Sequence, residues 1–212
     1  MLFIRLYEDE IAQASYLIGC QDTREAVVVD PSRDVGRYLR AAEDERLRIT
    51  HVVETHIHAD FLSGSRELAR RANAILLLSA EGGEEWRYRF LDEAKPLRDG
   101  ETFSVGRVRF EVLHTPGHTP EHIALLVTDT ATSAEPMGVL SGDAVFVGDV
   151  GRPDLLVKTR RSGVDGITED GDSDEQMADA ARELFATVQR FRELPSHLQL
   201  WPGHGAGSAC GK

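Results

Sequence analysis

Three metal-capable side chains, His56, His58 and Asp60, fall within one short stretch, THIHADF, directly behind a run that reads as a β-strand, ITHVVET (Ile49–Thr55). A junction of that kind ordinarily closes an apolar core. Two imidazoles at i and i+2 followed by a carboxylate instead aim donors at one ion from a tight loop. The same placement recurs along the chain. His118 lies in TPGHTP, after the strand run RFEVLH; Asp143 ends MGVLSGD; His204 follows LQLW. Ligands collect past the carboxyl ends of strands in α/β proteins, because loops held by a rigid sheet converge there. A lone histidine beside a strand is more often packed or solvated than ligating. His51, His114, His122 and His197 are read that way, with His114 and His122 flanking the Pro-Gly turn as candidate supporting groups.

Between these points strand-like and helix-like segments interleave. Leu2–Glu8 and Ser15–Cys20 are short, β-rich and separated by a polar turn, which predicts an opening antiparallel pair. AVVVDP is a buried-strand run stopped by proline. DVGRYLRAAEDERL has helical spacing, with Val35, Tyr38, Leu39 and Ala42 on one face. A helix over about Ser63 to Ala72 and a strand over Ala74–Ser79 follow. From Glu101 the pattern is strands only: a hairpin about Gly106, then His122–Asp129 and Met137–Asp143 with TATSAEP as the loop between them. Ser162–Glu175 is Gly- and acid-rich and reads as a solvated loop. Next comes the longest helix pattern, with Met177, Ala181, Leu184, Phe185, Val188 and Phe191 on one face, and then a last short strand, Leu198–Trp201. An αβ/βα sandwich, two mixed sheets face to face with helices outside, fits this order, as do several other α/β folds.

Composition excludes other classes of function. The chain has 212 residues, and 24 basic against 36 acidic groups give a net charge of −12, which disfavours nucleic acid and anionic membranes as partners. No run approaches the roughly 18 apolar residues of a membrane span. The start, MLFIRLYEDE, lacks the basic-then-apolar design of a secretion signal. Two cysteines, Cys20 and Cys210, suit a reducing compartment. The expectation is one acidic, cytoplasmic domain over residues 1–212.

Imidazole and carboxylate donors suit zinc, iron or manganese, and the lack of a Cys pair argues against a Cys-rich structural zinc site. Two His and one carboxylate with open positions is the arrangement of mononuclear non-haem Fe(II) oxygenases. Three or more His with a bridging Asp would support a two-zinc hydrolase.

Taken together, THIHADF, TPGHTP, SGDAVFVGDVGRPDL and WPGHGAGSACGK resemble the metallo-β-lactamase superfamily, and within it the persulfide dioxygenases, especially bacterial forms often fused to rhodanese domains. The likeness runs from about Ser15 to the C-terminus. It implies the αβ/βα sandwich, one Fe(II) per chain with zinc as the alternative, and His56, His118 and Asp143 as iron ligands and catalytic centre. His58, Asp60 and His204 match the superfamily's other metal positions and would line the site or hold a second metal. Arg152 and Asp154, in the GRPDL string, are implied as shaping or pocket residues. The implied reaction oxidises a small thiol persulfide, such as glutathione persulfide, with O2 to sulfite and thiol. A zinc-dependent thioester hydrolase of glyoxalase II type is the alternative, and a non-catalytic sulfur-handling domain is a third reading. A rhodanese domain or protein and a homo-oligomer are the implied partners.

Two departures from the family pattern matter. Two-metal members carry a His directly after the Asp of HxHxD, where this chain has Phe61, which has no lone pair to donate. A tight two-zinc centre is therefore not expected, and Phe61 is read as an apolar wall of the pocket. Related proteins also continue beyond GSACGK, so the domain is expected to be truncated at its C-terminus. Cys20, ending an apolar strand, reads as a packed small hydrophobe. Cys210, six residues after His204, reads as a residue of the substrate pocket, without a catalytic role.

Overall fold

Strands whose two faces are both covered read as unbroken apolar runs, and AVVVD and SYLIGC are of that kind. In the structure, a computed structural model that describes residues 1–155 and 170–211, Leu17 and Ile18 are neighbours on opposite faces of one strand, and neither has accessible surface. Six strands form the first sheet in sequential order: β1 (Leu2–Glu8), β2 (Gln13–Cys20), β3 (Glu25–Val29), β4 (Arg48–Val53), β5 (Ile75–Ser79) and β6 (Lys95–Leu97). Its first two pairings are antiparallel and the rest parallel. The second sheet has the order β13-β10-β9-β8-β7, from β7 (Thr102–Val105), β8 (Val108–His114), β9 (Ile123–Asp129), β10 (Gly138–Gly142) and β13 (Gln199–Pro202). Here β13 runs parallel to β10 and the other pairings are antiparallel. A two-residue ribbon of β11 (Val145–Phe146) and β12 (Asp149–Val150) follows β10.

Alternation along each strand divides the apolar side chains between layers. Tyr16, Ile18, Val27, Val29 and Val53 from the first sheet meet Phe110, Val112, Ile123, Leu125 and Leu140 from the second, forming the central core. The alternate set, Leu17, Val28, Val52, Leu76 and Leu78, packs outward on helices α1 (Val35–Asp44) and α2 (Ser65–Ala72) through Val35, Tyr38, Ala42 and Leu68. On the far side Leu113, Ala124, Leu126 and Val139 lie under Phe191, Leu194, Leu198 and Leu200, the first of them in helix α3 (Asp170–Arg192). This is the αβ/βα sandwich that the family resemblance implies and that the order of elements fits.

Two details correct the sequence reading. The acid-rich segment is already helical at Asp170, so residues 170–175 belong to α3; residues 162–169 lie outside the described residues. The buried stripe of α3 is also displaced: Leu184 and Thr187 are buried, whereas Phe185 is 65% exposed and Ala181 is exposed. The helix is set by the loop beneath it. The Thr187 hydroxyl donates to the Pro116 carbonyl at 2.7 Å, and Arg190 reaches the His114 carbonyl at 2.9 Å and Asp99 at 2.8 Å. The strand β6 and two short helical turns at Glu84–Trp86 and Leu91–Glu93 lack a periodic signature and have no counterpart in the sequence reading.

Tyr38 joins α1 to the first sheet. Its hydroxyl accepts the Ser32 amide at 2.8 Å and lies 2.8 Å from the Ser15 hydroxyl and 3.2 Å from that of Ser32, all buried. Tyr38→Phe leaves the Ser32 amide without a partner and is expected to destabilise the fold by about 1–3 kcal/mol. The check is a lower urea midpoint at unchanged slope; a midpoint equal to that of the parent would show that the contact contributes nothing.

Candidate metal centre

The loops after β4, β8, β10 and β13 meet at one end of the sandwich. There the Ile123 amide donates to the Thr55 carbonyl at 2.8 Å and the Gly203 amide to the Gly142 carbonyl at 2.7 Å. These bonds place His56, His118 and Asp143 side by side. Nε2 of His56 lies 3.7 Å, and Nε2 of His118 3.6 Å, from Oδ2 of Asp143, and all three side chains are buried. The two rings stand 5.0 Å apart at 85°. These separations exceed hydrogen bonds, yet they sit just above the roughly 3.4 Å that separates two ligands held tetrahedrally at about 2.1 Å from one ion. Two imidazole nitrogens and a carboxylate oxygen facing one point fit a divalent transition metal.

The hydrogen bonds behind His56 set its tautomer. The Thr55 hydroxyl donates its only proton to Oδ2 of Asp30 at 2.8 Å, and the Thr55 amide donates to Oδ1 at 2.7 Å. Thr55 Oγ1 therefore accepts from Nδ1–H of His56, 2.9 Å away, which leaves the Nε2 lone pair facing Asp143. His58 donates from Nε2 to Asp30 at 3.1 Å, while its buried Nδ1 has no hydrogen-bond partner. Burial opposes charge on His58, but Asp30 in contact, with Glu54 and Asp143 beyond it, raises its pKa to about 9.

Asp143 is held from its backbone as well as its side chain. Its amide donates to Nε2 of His122 at 3.0 Å, so Nδ1 of His122 carries the proton and donates to the Thr115 hydroxyl at 2.7 Å. His122 has no accessible surface, and burial, with His118 nearby, lowers its pKa to about 3, so its ring is neutral. It stacks on His56 at 4.9 Å. His122 thus braces two members of the triad at once. Gly142 turns beneath it with φ +50°, where a Cβ would come within 2.5 Å of His122 Nε2. Gly117 (φ +129°) lets α3 pass the His118 loop, since a Cβ there would come within 2.5 Å of the Leu184 Cα.

His204 donates from Nδ1 to both oxygens of Asp143, at 2.8 and 3.0 Å, and its Nε2 lies 2.8 Å from Asp60 Oδ2. Burial would lower the pKa of His204, but these two carboxylates raise it to about 10. Burial likewise opposes the charge on Asp143, yet His204, with His118 and His58 nearby, lowers that pKa to about 2. Cys210 is buried, and desolvation together with Asp143 and Asp60 pushes its thiol pKa up. Phe61 packs against His58 with ring centroids 4.3 Å apart and the ring planes tilted by 35°. Arg152 and Asp154 form a two-pronged ion pair with each other, at 3.0 and 2.7 Å, beside the Asp143 turn.

The structure gathers His58, Asp60, His122, His204 and Cys210 around His56, His118 and Asp143, with Phe61 against His58 and the Arg152–Asp154 pair beside the Asp143 turn. His114 is not in the cluster: its Nε2 bonds the Pro120 carbonyl at 2.8 Å. Sequence reasoning missed Asp30, Thr55, Thr115 and Glu121. The last has no accessible surface and accepts the Ile57 amide at 2.6 Å and the Thr119 hydroxyl at 3.0 Å, tying the HIHAD loop to the PGHTP loop. For Asp30 a signal existed, since it ends an apolar strand just as Asp143 does.

A profile of the metallo-beta-lactamase superfamily matches residues 9–204. The chain is 27% identical over 159 residues to the mitochondrial persulfide dioxygenase ETHE1 of Bos taurus, covering 73% of this chain and 57% of that protein. It is 29% identical over 192 residues to a hydroxyacylglutathione hydrolase of Nitrosococcus oceani, covering 90% and 61%. A crystal structure of a metallo-beta-lactamase from Staphylococcus aureus subsp. aureus COL superposes with a TM-score of 0.85 at 43% identity, over 98% of this chain and 57% of that one. The chain spans about three fifths of the length of each of these proteins.

His122→Phe keeps a ring over His56 but removes the acceptor for the Asp143 amide, and is expected to weaken metal binding at least about tenfold. His122→Gln, with an oxygen able to take that amide, should retain most of the affinity. Competition against a chromophoric chelator, on variants with the parent's circular dichroism, decides between them. Equal affinities in all three proteins would remove His122 from the support of the site.

Proposed function

The chain belongs to the metallo-beta-lactamase superfamily, and on that premise we propose that it is a mononuclear non-haem Fe(II) persulfide dioxygenase, converting a small thiol persulfide, O2 and water into thiol and sulfite. The balance is R–S–SH + O2 + H2O giving R–SH, sulfite and two protons. The outer sulfur loses four electrons and O2 gains them. The observation that carries this reading is the complete two-histidine, one-carboxylate set, His56, His118 and Asp143, beside a position 61 that offers only ring carbon. Iron bound there would supply the redox chemistry and open positions for a soft sulfur anion and O2.

The protein's own contribution is positioning. Asp30 and Thr55 hold His56 with Nε2 unprotonated, and His118, its pKa lowered by burial, stays neutral and able to donate its lone pair. His122 and His204 fix Asp143 from its amide and its carboxylate. Phe61 adds an apolar wall over His58. Among the described residues no helix is long and apolar enough to cross a membrane.

A second reading is a zinc-dependent thioester hydrolase. It is favoured by the buried, unpartnered Nδ1 of His58 next to the triad and by a similarity to hydroxyacylglutathione hydrolase at least as great as that to persulfide dioxygenase. Anaerobic loading with Fe(II), followed by oxygen uptake on adding glutathione persulfide, separates the two. Uptake with one sulfite formed per O2 is the expected result. No uptake, together with hydrolysis of an acylglutathione by the zinc-loaded protein, would overturn the proposal. His118→Ala and Asp143→Ala should lose iron and oxygen uptake together; full iron occupancy in either would contradict the ligand assignment.

A further inference from the structure

His56 is held by backbone bonds on both sides of it. Before it, the Thr55 carbonyl accepts the Ile123 amide at 2.8 Å; after it, the Ile57 amide donates to Oε1 of Glu121 at 2.6 Å. The same oxygen accepts the Thr119 hydroxyl at 3.0 Å. Ile57 directly follows His56, and Thr119 directly follows His118. We propose that Glu121 is a positioning residue of the metal centre: one carboxylate oxygen, bonded to the neighbours of both histidines, sets the separation of His56 and His118 and so the geometry in which an ion is held. Its action runs through the two loops and not through contact with the ion.

Each bond reaches a histidine through a short, rigid connection. The Ile57 N–H belongs to the planar peptide unit that also contains the Cα of His56, so fixing one fixes the other. On the other side, the Thr119 carbonyl accepts the amides of Gly117 at 3.3 Å and of His122 at 3.4 Å, which closes residues 117–122 into a compact turn around His118. Glu121 is part of that turn. The two loops leave different sheets, β4 in the first and β8 in the second, and these strands are not paired with each other. The spacing of the two histidines therefore depends on bonds made between the loops themselves.

A carboxylate suits this task. It only accepts, and a bond to an ionised oxygen is shorter and roughly twice as strong as one to a neutral oxygen; the Ile57 bond is correspondingly short. Glu121 has no accessible surface, and Gly82 (φ +83°) closes over it, since a Cβ there would come within 2.8 Å of both Cβ and N of Glu121. Burial raises its pKa, and the Ile57 amide, the Thr119 hydroxyl and His58 oppose that rise. Its other oxygen, Oε2, is buried without a hydrogen-bond partner among the described residues. Such an oxygen costs free energy that packing alone does not require; the bonds of Oε1 to both histidine loops supply the reason for keeping it. The inference rests on His56 and His118 as ligands and not on which reaction the centre supports.

Cobalt(II) is the probe, because its visible d–d bands follow the geometry of its ligands. Glu121→Ala removes both bonds. In that variant, with the parent's circular dichroism, cobalt affinity measured against a chromophoric chelator should fall at least about tenfold, and the visible bands of the loaded protein should shift. Glu121→Gln keeps an oxygen able to accept from both donors, and should return the bands to the parent's positions with most of the affinity. A residue that only supported the fold would lower the urea midpoint and leave the bands in place, so the bands decide. Parent bands in loaded Glu121→Ala, or a Glu121→Gln no closer to the parent than Glu121→Ala, would each overturn the proposal. Should Glu121→Ala fail to fold, Thr119→Val removes one bond and keeps the carboxylate; a smaller band shift is expected there, and unshifted bands would overturn the proposal. Oxygen uptake plays no role in the measurement, and iron occupancy in His118→Ala tests the ligand assignment separately, so failure here and failure of the dioxygenase reading are distinguishable.

Discussion

Asp143 is an ionised carboxylate with no accessible surface, and most of the arrangement at the active end follows from pairing it. Left alone, such a charge would cost several kcal/mol. His204 bonds both of its oxygens, His122 receives its backbone proton, and the imidazoles of His56 and His118 lie against the remaining side. These partners enter from the loop after β4, the start of β9, the loop after β8 and the end of β13. Satisfying one group therefore fixes how the two sheets meet at this end. The cost is met only when all the partners are present, which couples the chemistry of the site to the packing of the sandwich.

Asp30 has the corresponding role in the first sheet. It follows β3 and receives the amide and hydroxyl of Thr55 and a proton from His58. Because a carboxylate can only accept, the direction of each proton in the row Asp30, Thr55, His56 is determined, and the row ends on a nitrogen lone pair directed at Asp143. Two buried carboxylates at two strand ends thus orient most of the imidazoles between them.

How much of this was legible in the sequence depended on the kind of signal. His56, His118, Asp143 and His204 could be found because each follows an apolar strand run at the place where loops converge, and the run itself announces the strand. Thr55, Thr115 and Glu121 could not be found that way. Short polar residues at strand ends are ordinary turn and cap formers, and nothing local separates one that orients an imidazole from one that bonds water. His122 carried a weak signal beside the Pro-Gly turn; its weight comes from the Asp143 amide, which only the fold places against it. Phe185 failed for a different reason. Periodicity gives a stripe, but the rotation of α3 about its axis is set by contacts of Thr187 and Arg190 with the loop before His118.

By itself, then, the sequence determined most of the strands and helices, a set of α/β folds that includes the αβ/βα sandwich, and the supply of donors at strand ends, because alternation, helical spacing and turn residues are properties of contiguous chain. The tertiary structure decided which donors meet. It brought His56, His118 and Asp143 face to face, set Asp60, His204 and Cys210 beside them, and turned His122 from a packed histidine into a brace for Asp143. Those outcomes depend on distances between segments far apart in the chain, which are set by how two twisted sheets pack and by the need to pair every buried charge.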